Sequence, residues 1–311
     1  MKVKELLHIW LNKYTKNTVK IKTFITYQNI CDKHLIPELG NYKVKKLTTS
    51  ILQDFIQKKI EKVNIKTGKE LSINTVKSII SVLKQAFKLA CNLEIIDKNI
   101  TDKLSILSTK EKKTNVFNET EQKKLESFCL NNKKSNYIGI VICLYTGIRI
   151  GELLALTWDD IDFDKSILSI NKSVCTIKLN NKTTLHIDEP KTKSSNRIIP
   201  IPKQLLSYLR KIKRKSNSIY VITTNNNKMV GTRSYQKSFE RILKRLNIKY
   251  RNFHTLRHTF ATRALELGMD VKALSEILGH SNPSITLNRY VHSLFSYKKD
   301  MMNKLGKNIL N

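Results

Sequence analysis

At 311 residues the chain is too long for one typical domain and comfortable for two with sizeable cores. Its 57 Lys and Arg against 25 Asp and Glu leave a formal net charge of +32, which points to a polyanionic partner even beside a general Lys, Asn and Ile bias. Five scattered cysteines without a C-x-x-C argue against a disulfide framework or zinc site, the start lacks the apolar core of a signal peptide, and the longest apolar run, 137–145, is too short to cross a bilayer; a soluble, cytoplasmic protein is expected.

Apolar residues at helical spacing dominate the first hundred positions. Leu6, Leu7, Trp10, Leu11 and Tyr14 predict a first helix, and Phe24, Tyr27, Ile30, Cys31 and Leu35 a second, ended by Pro37 and Gly40. Thr49 or Ser50 is placed to cap a third helix carrying Leu52, Phe55, Ile56 and Ile60. A lysine-rich turn over 64–70 leads into a long fourth helix with Val76, Ile79, Ile80, Leu83, Phe87 and Ala90 on one face. Together they make an all-α, four-helix basic domain over 1–96. Residues 97–116 are polar, charged and weakly periodic, and read as an interdomain linker.

A second domain follows over 117–311. Asn118 with Glu121 three residues on is a helix-start pattern, and helices are predicted over 119–132, 136–146 and 149–157. The middle is β-branched or alternating over 166–170, 174–179, 184–187 and 197–201, which predicts a small antiparallel sheet. From 203 onward the pattern is helical again, apart from a possible strand at 219–222. The fold class is therefore multidomain and mainly α, with a mixed α+β second domain.

Chemistry concentrates near the C-terminus. In H254-T-L-R-H258 the spacing puts His254, Arg257 and His258 on one helix face. The histidines have zinc-helix spacing, but Thr255 stands where a protease helix needs Glu, and Arg257 would repel a cation; two half-buried core histidines are the plainer alternative. Upstream, T146-G-I-R149-I-G-E152 sets Arg149 after a glycine break, though alone it reads as a surface ion pair. The stretch P190-K-T-K-S-S-N-R197-I-I-P brings lysines to a turn, and L278-G-H280 precedes Tyr290.

Taken together in fixed order, TGIRIGELLALTW, PKTKSSNRIIP, HTLRHTFAT and LGHSNPSITLNRY resemble the tyrosine recombinase, or phage integrase, family, with the flavour of integrases from phages and conjugative elements. The resemblance covers nearly the whole chain, since the helical front is similar to that family's core-binding domain. It implies a site-specific recombinase that cuts and rejoins DNA through a 3′-phosphotyrosyl intermediate, integrating or excising a mobile element without metal, ATP or other cofactor. Tyr290 would be the nucleophile, with Tyr297 its rival. Arg149 and Arg257 would clamp the phosphate, His280 position it and His254 take the tyrosine proton. Lys191 would protonate the leaving oxygen, with Lys193 as the competing general acid. Glu152 and His258 would support Arg149 and the active-site helix.

The implied partners are duplex recombination sites, further copies of the chain in a tetramer assembled through the tail after Tyr290, and an excision or accessory factor. The chain would be bacterial or phage-encoded, associated with the nucleoid, and begin directly at the core-binding domain without the arm-binding domain that many integrases carry. A Xer-like resolvase, a non-catalytic DNA-binding relative and a type IB topoisomerase are the alternatives.

Overall fold

A computed structural model of the chain describes residues 1–61, 63–64, 69–106, 115–132, 135–179, 182–188, 196–290, 299, 302–303 and 305–306. The chain divides into two compact units, Met1–Glu111 and Lys112–Asn311.

The first unit is built on the predicted helical stripes. Helix α1 (Val3–Ile9) runs on into a wider π-helical segment, Trp10–Thr15. Leu6, Leu7, Trp10 and Leu11 are buried as the spacing predicts, but Tyr14 is exposed and Thr15 takes the inward place. The widened turn is the reason: the Thr15 hydroxyl donates to the Trp10 carbonyl, and the amide of Lys16 to that of Leu11, each five residues back. Helix α2 (Ile21–Ile30) continues through a second π segment, Cys31–Leu35, into α3 (Ile36–Leu39). Pro37 does not end this helix. It sits in the first turn of α3, where its missing N–H costs nothing, and the helix ends at Gly40.

Helix α4 (Thr49–Glu61) takes its cap from Thr48, whose hydroxyl accepts from the Ile51 amide, one residue before the predicted cap. The lysine-rich turn carries a minimal antiparallel ladder, β1 (Val63–Asn64) with β2 (Lys69–Glu70). Helix α5 (Ile73–Asn92) is capped by Ser72, and all six residues of its predicted apolar stripe are buried. Of the stretch read as a linker, Ile100, Leu104 and Ile106 pack on this core.

In the second unit, Asn118 and Glu121 close the predicted capping box at the start of α6 (Glu119–Leu130): Asn118 Oδ1 accepts from the Glu121 amide at 2.8 Å, and the Glu121 carboxylate from the Asn118 amide at 2.9 Å. Helix α7 (Ile138–Thr146) is buried almost all round, which fits its unbroken apolar sequence. It packs against α6, α8 (Ile150–Ala155), α9 (Lys203–Lys213) and α11 (Thr255–Glu266).

The predicted single sheet is two. Strands β3 (Ile161–Asp162), β4 (Ile167–Ile170) and β7 (Arg197–Pro200) form an antiparallel sheet in the order β3-β4-β7. Between β4 and β7 the chain inserts a separate hairpin, β5 (Ser173–Leu179) with β6 (Lys182–Asp188). The segment 219–222 makes one bridge, Thr157 to Tyr220, rather than a strand. Helices α10 (Thr232–Arg245), α12 (Val271–Leu278) and α13 (Pro283–Tyr290) complete the unit. No helix among the described residues is long and apolar enough to cross a membrane.

Candidate active site

The site forms around the C-terminal end of α12. A helix leaves its last carbonyls without intrahelical donors and gathers partial negative charge there, so it favours cations. Here three arginines take three successive carbonyls: Arg197 Nε donates to Ile277 O at 2.6 Å, Arg257 Nη2 to Leu278 O at 2.8 Å, and Arg149 Nη2 to Gly279 O at 3.2 Å. They arrive from different elements: Arg149 caps α8, Arg197 opens β7, and Arg257 lies in the first turn of α11.

Arg257 is 2% exposed. Desolvating a guanidinium costs several kcal/mol. Its guanidinium donates to Gly147 O at 2.9 Å, to Leu278 O, and to His280 Nε2 at 2.8 Å. Charge-assisted bonds of about 1.5–3 kcal/mol each offset a penalty of that size. Gly147 makes this possible because it ends α7 in the left-handed region at φ 64°. A Cβ there would also lie 2.4 Å from Phe260 Cδ1. Both constraints demand glycine, and the turn aims its carbonyl at Arg257 while delivering Arg149 two residues later.

His280 joins two elements. Arg257 can only donate, so His280 Nε2 is the acceptor, and the ring proton sits on Nδ1, donated to Thr286 Oγ1 at 2.7 Å. Thr286 is fully buried in α13, one helical turn before Tyr290, the last residue of that helix. The histidine thus ties Arg257 to the helix that ends at Tyr290.

Glu152 is the buried carboxylate of the cluster. Its oxygens accept from the Arg149 amide at 2.9 Å, Arg149 Nη1 at 2.8 Å, and Arg197 Nη1 and Nη2 at 3.2 and 2.8 Å. Burial alone would push its pKa up; the hydrogen bonds and charge of Arg197, then Arg149, outweigh that and hold it down at about 2. The Arg197 side chain is 6% exposed and the Arg149 side chain 39%, so Arg149 is the member of the pair that reaches solvent.

His254 is exposed at the start of α11, and its ring meets His258 edge to face, centroids 4.7 Å apart at 85°. Among the described residues no group of three or more His, Cys, Asp or Glu could hold a metal ion. Lys191, Lys193 and Tyr297 lie outside the described residues, as does most of the tail after Tyr290; within it Met302 and Leu305 are exposed. The structure therefore brings together Arg149, Glu152, Arg257 and His280, with His254 on the same helix as Arg257.

Sequence reasoning passed over Arg197 and Thr286. Arg197 stood in a quoted motif, but its partner Glu152 is 45 residues away and no local pattern joins them. Thr286 lies six residues after His280, a spacing that becomes informative only once the turn through Pro283 is known.

The phage integrase family profile matches residues 115–296, and that of the phage integrase N-terminal SAM-like domain matches residues 2–60. A tyrosine recombinase XerC-like protein of Caldanaerobacter subterraneus subsp. tengcongensis is 31% identical over 97% of this chain and 82% of its own. The Tn1549 transposon integrase, solved in complex with a circular intermediate DNA, superposes with a TM-score of 0.83 at 26% identity, covering 98% of this chain and 99% of that one. A lambda integrase tetramer bound to a Holliday junction gives 0.69 at 19% identity, over 91% of this chain and 79% of that one, a likeness of fold alone.

Proposed function

The chain belongs to the phage integrase family and is a tyrosine recombinase of the mobile-element integrase type, and on that footing we propose that Tyr290 attacks a DNA phosphodiester to form a 3′-phosphotyrosyl bond. The observation that carries this reading is the convergence of Arg149, Arg257 and His280 on the end of α12, with His280 hydrogen-bonded into the helix that ends at Tyr290.

In the first step the phenol oxygen of Tyr290 bonds to phosphorus while the bond to the 5′-oxygen breaks. Negative charge builds on the non-bridging oxygens, where two guanidiniums offer planar, permanently charged forks. They supply the neutralisation for which other nucleases use cations, so the reaction needs no divalent metal. His254 accepts the phenol proton, His280 positions the phosphate by holding the Arg257 guanidinium, and Lys191, or Lys193 in its place, protonates the leaving oxygen. In the second step the 5′-hydroxyl of the partner strand attacks the phosphotyrosine, its proton passing to the lysine, and the bond to Tyr290 breaks as His254 returns a proton to the phenol oxygen. One phosphodiester is exchanged for another, so no ATP is consumed.

The substrate is a duplex recombination site, gripped through phosphates by the helical front unit and the basic surface. Four protomers assemble on two sites through their tails, an accessory factor sets direction, and the enzyme, bacterial or phage-encoded, works at the nucleoid. The SAM-like match over 2–60 supports the front unit's role as the core-binding domain.

A nicked suicide duplex carrying the recombination site tests this. Wild type should form a covalent adduct in EDTA, and Tyr290→Phe none. Absence of an adduct in EDTA that magnesium restores would sink the metal-free mechanism.

A further inference from the structure

Glu152 presents an electrostatic problem that the clamp must solve. A carboxylate bonded directly to Arg149 orients that side chain, yet on its own it would also cancel the charge a phosphate needs. Arg197 resolves this. Both its Nη atoms engage Glu152 and its Nε takes the Ile277 carbonyl, while its side chain is 6% exposed, so it faces inward and is sheltered from any substrate. Two guanidiniums share one carboxylate, and the group of three keeps a net charge of +1. A bidentate pair also fixes the carboxylate plane, and with it the angle at which Arg149 is held.

Resting on the recombinase reading above, we infer that Arg197 is a positioning residue of the cleavage centre: it neutralises and orients Glu152 so that Arg149 is both held in place and left electrostatically available to the scissile phosphate. Arg197 also opens β7, which packs on α12, so its own backbone is fixed beside the helix end that the other two arginines share.

A double-mutant cycle between Arg197 and Glu152 tests the inference, read as the single-turnover rate of adduct formation at saturating DNA, which separates chemistry from binding. R197Q leaves Glu152 to cancel Arg149, and the rate should fall roughly 10- to 100-fold, the scale on which groups orienting a site's contact residues act. Adding E152Q removes the uncompensated charge, so the double variant should cleave faster than R197Q. Lowering the pH, which protonates Glu152 more readily when Arg149 is its one remaining guanidinium in R197Q, should raise that variant's rate relative to wild type.

A merely structural tie between β7 and α12 predicts the opposite, a double variant slower than either single one. That result, or R197Q cleaving at the wild-type rate, would overturn the inference. Should R197Q be too unstable to purify, the double variant is compared with E152Q alone. With no carboxylate charge to offset, the two rates should agree within roughly threefold, and a larger loss on removing Arg197 would overturn the inference. Failure of the recombinase reading is recognised separately, as absence of any Tyr290-dependent adduct in wild type.

Discussion

Among the described carboxylates Glu152 carries a clear pH signature. Its folded pKa of about 2 lies below the ordinary carboxylate value of about 4.3. A depressed pKa stabilises the fold fully above the unfolded value, and that contribution drains away as pH falls toward the folded one. Thermal melts from pH 7 to pH 2 should therefore show wild type losing stability between about pH 4.3 and 2, with Glu152→Gln flatter across that window. Parallel curves would refute the buried network. Removing one member of a buried ion pair leaves the other uncompensated, so Glu152→Ala should cost about 3–5 kcal/mol in denaturant unfolding. Gly147→Ala tests the turn beside it. The left-handed backbone at φ 64° costs about 1–2 kcal/mol for an L side chain, and the 2.4 Å approach to Phe260 about 1–3 more. A melting temperature several degrees below wild type is expected, together with slower cleavage, because the Gly147 carbonyl holds Arg257.

The decisive element is α12, an eight-residue helix whose end organises three arginines and one histidine. Its hold on α13 runs through Thr286. Thr286→Val keeps the side-chain shape but takes away the acceptor that Thr286 Oγ1 gives the Nδ1 proton of His280, a loss of up to about 1–3 kcal/mol. Adduct formation should slow roughly tenfold in single-turnover assays, the scale of about 1.4 kcal/mol; an unchanged rate would show that this bond does not set the geometry. The same element marks the limit of what the sequence reveals. Helix stripes and the Asn118–Glu121 box were legible because they depend on neighbours three and four residues apart. The order of Arg149, Arg257, His280 and Tyr290 was legible because each stands in its own short motif. Backbone carbonyls leave no mark in a sequence, so the meeting of these motifs on α12 was not. Nor was the pairing of β4 with β7 across an inserted hairpin, since alternation looks alike in inserted and continuous strands. Tyr14 was misread for a related reason: the π-helical turn shifts the 3.6-residue register on which that reading rests.

At the scale of the whole molecule the +32 charge is the dominant fact. If six or more phosphates are neutralised, DNA affinity should fall by about 10³ or more between 50 and 200 mM salt. A shallow dependence would mean that the lysines decorate the surface without touching DNA. The two units have separate buried cores, one centred on Leu83 and Phe87, the other on α7 and Phe239. The profile matches divide similarly, with residues 2–60 in the first unit and 115–296 in the second.

The central claim is that Tyr290 becomes the covalent link to DNA. Its most direct test is to trap the wild-type adduct on a suicide duplex, digest protein and DNA, and locate the modified residue by mass spectrometry. The account predicts a nucleotide joined through its 3′-phosphate to Tyr290. A linkage at Tyr297, at any other residue, or through a 5′-phosphate would contradict it.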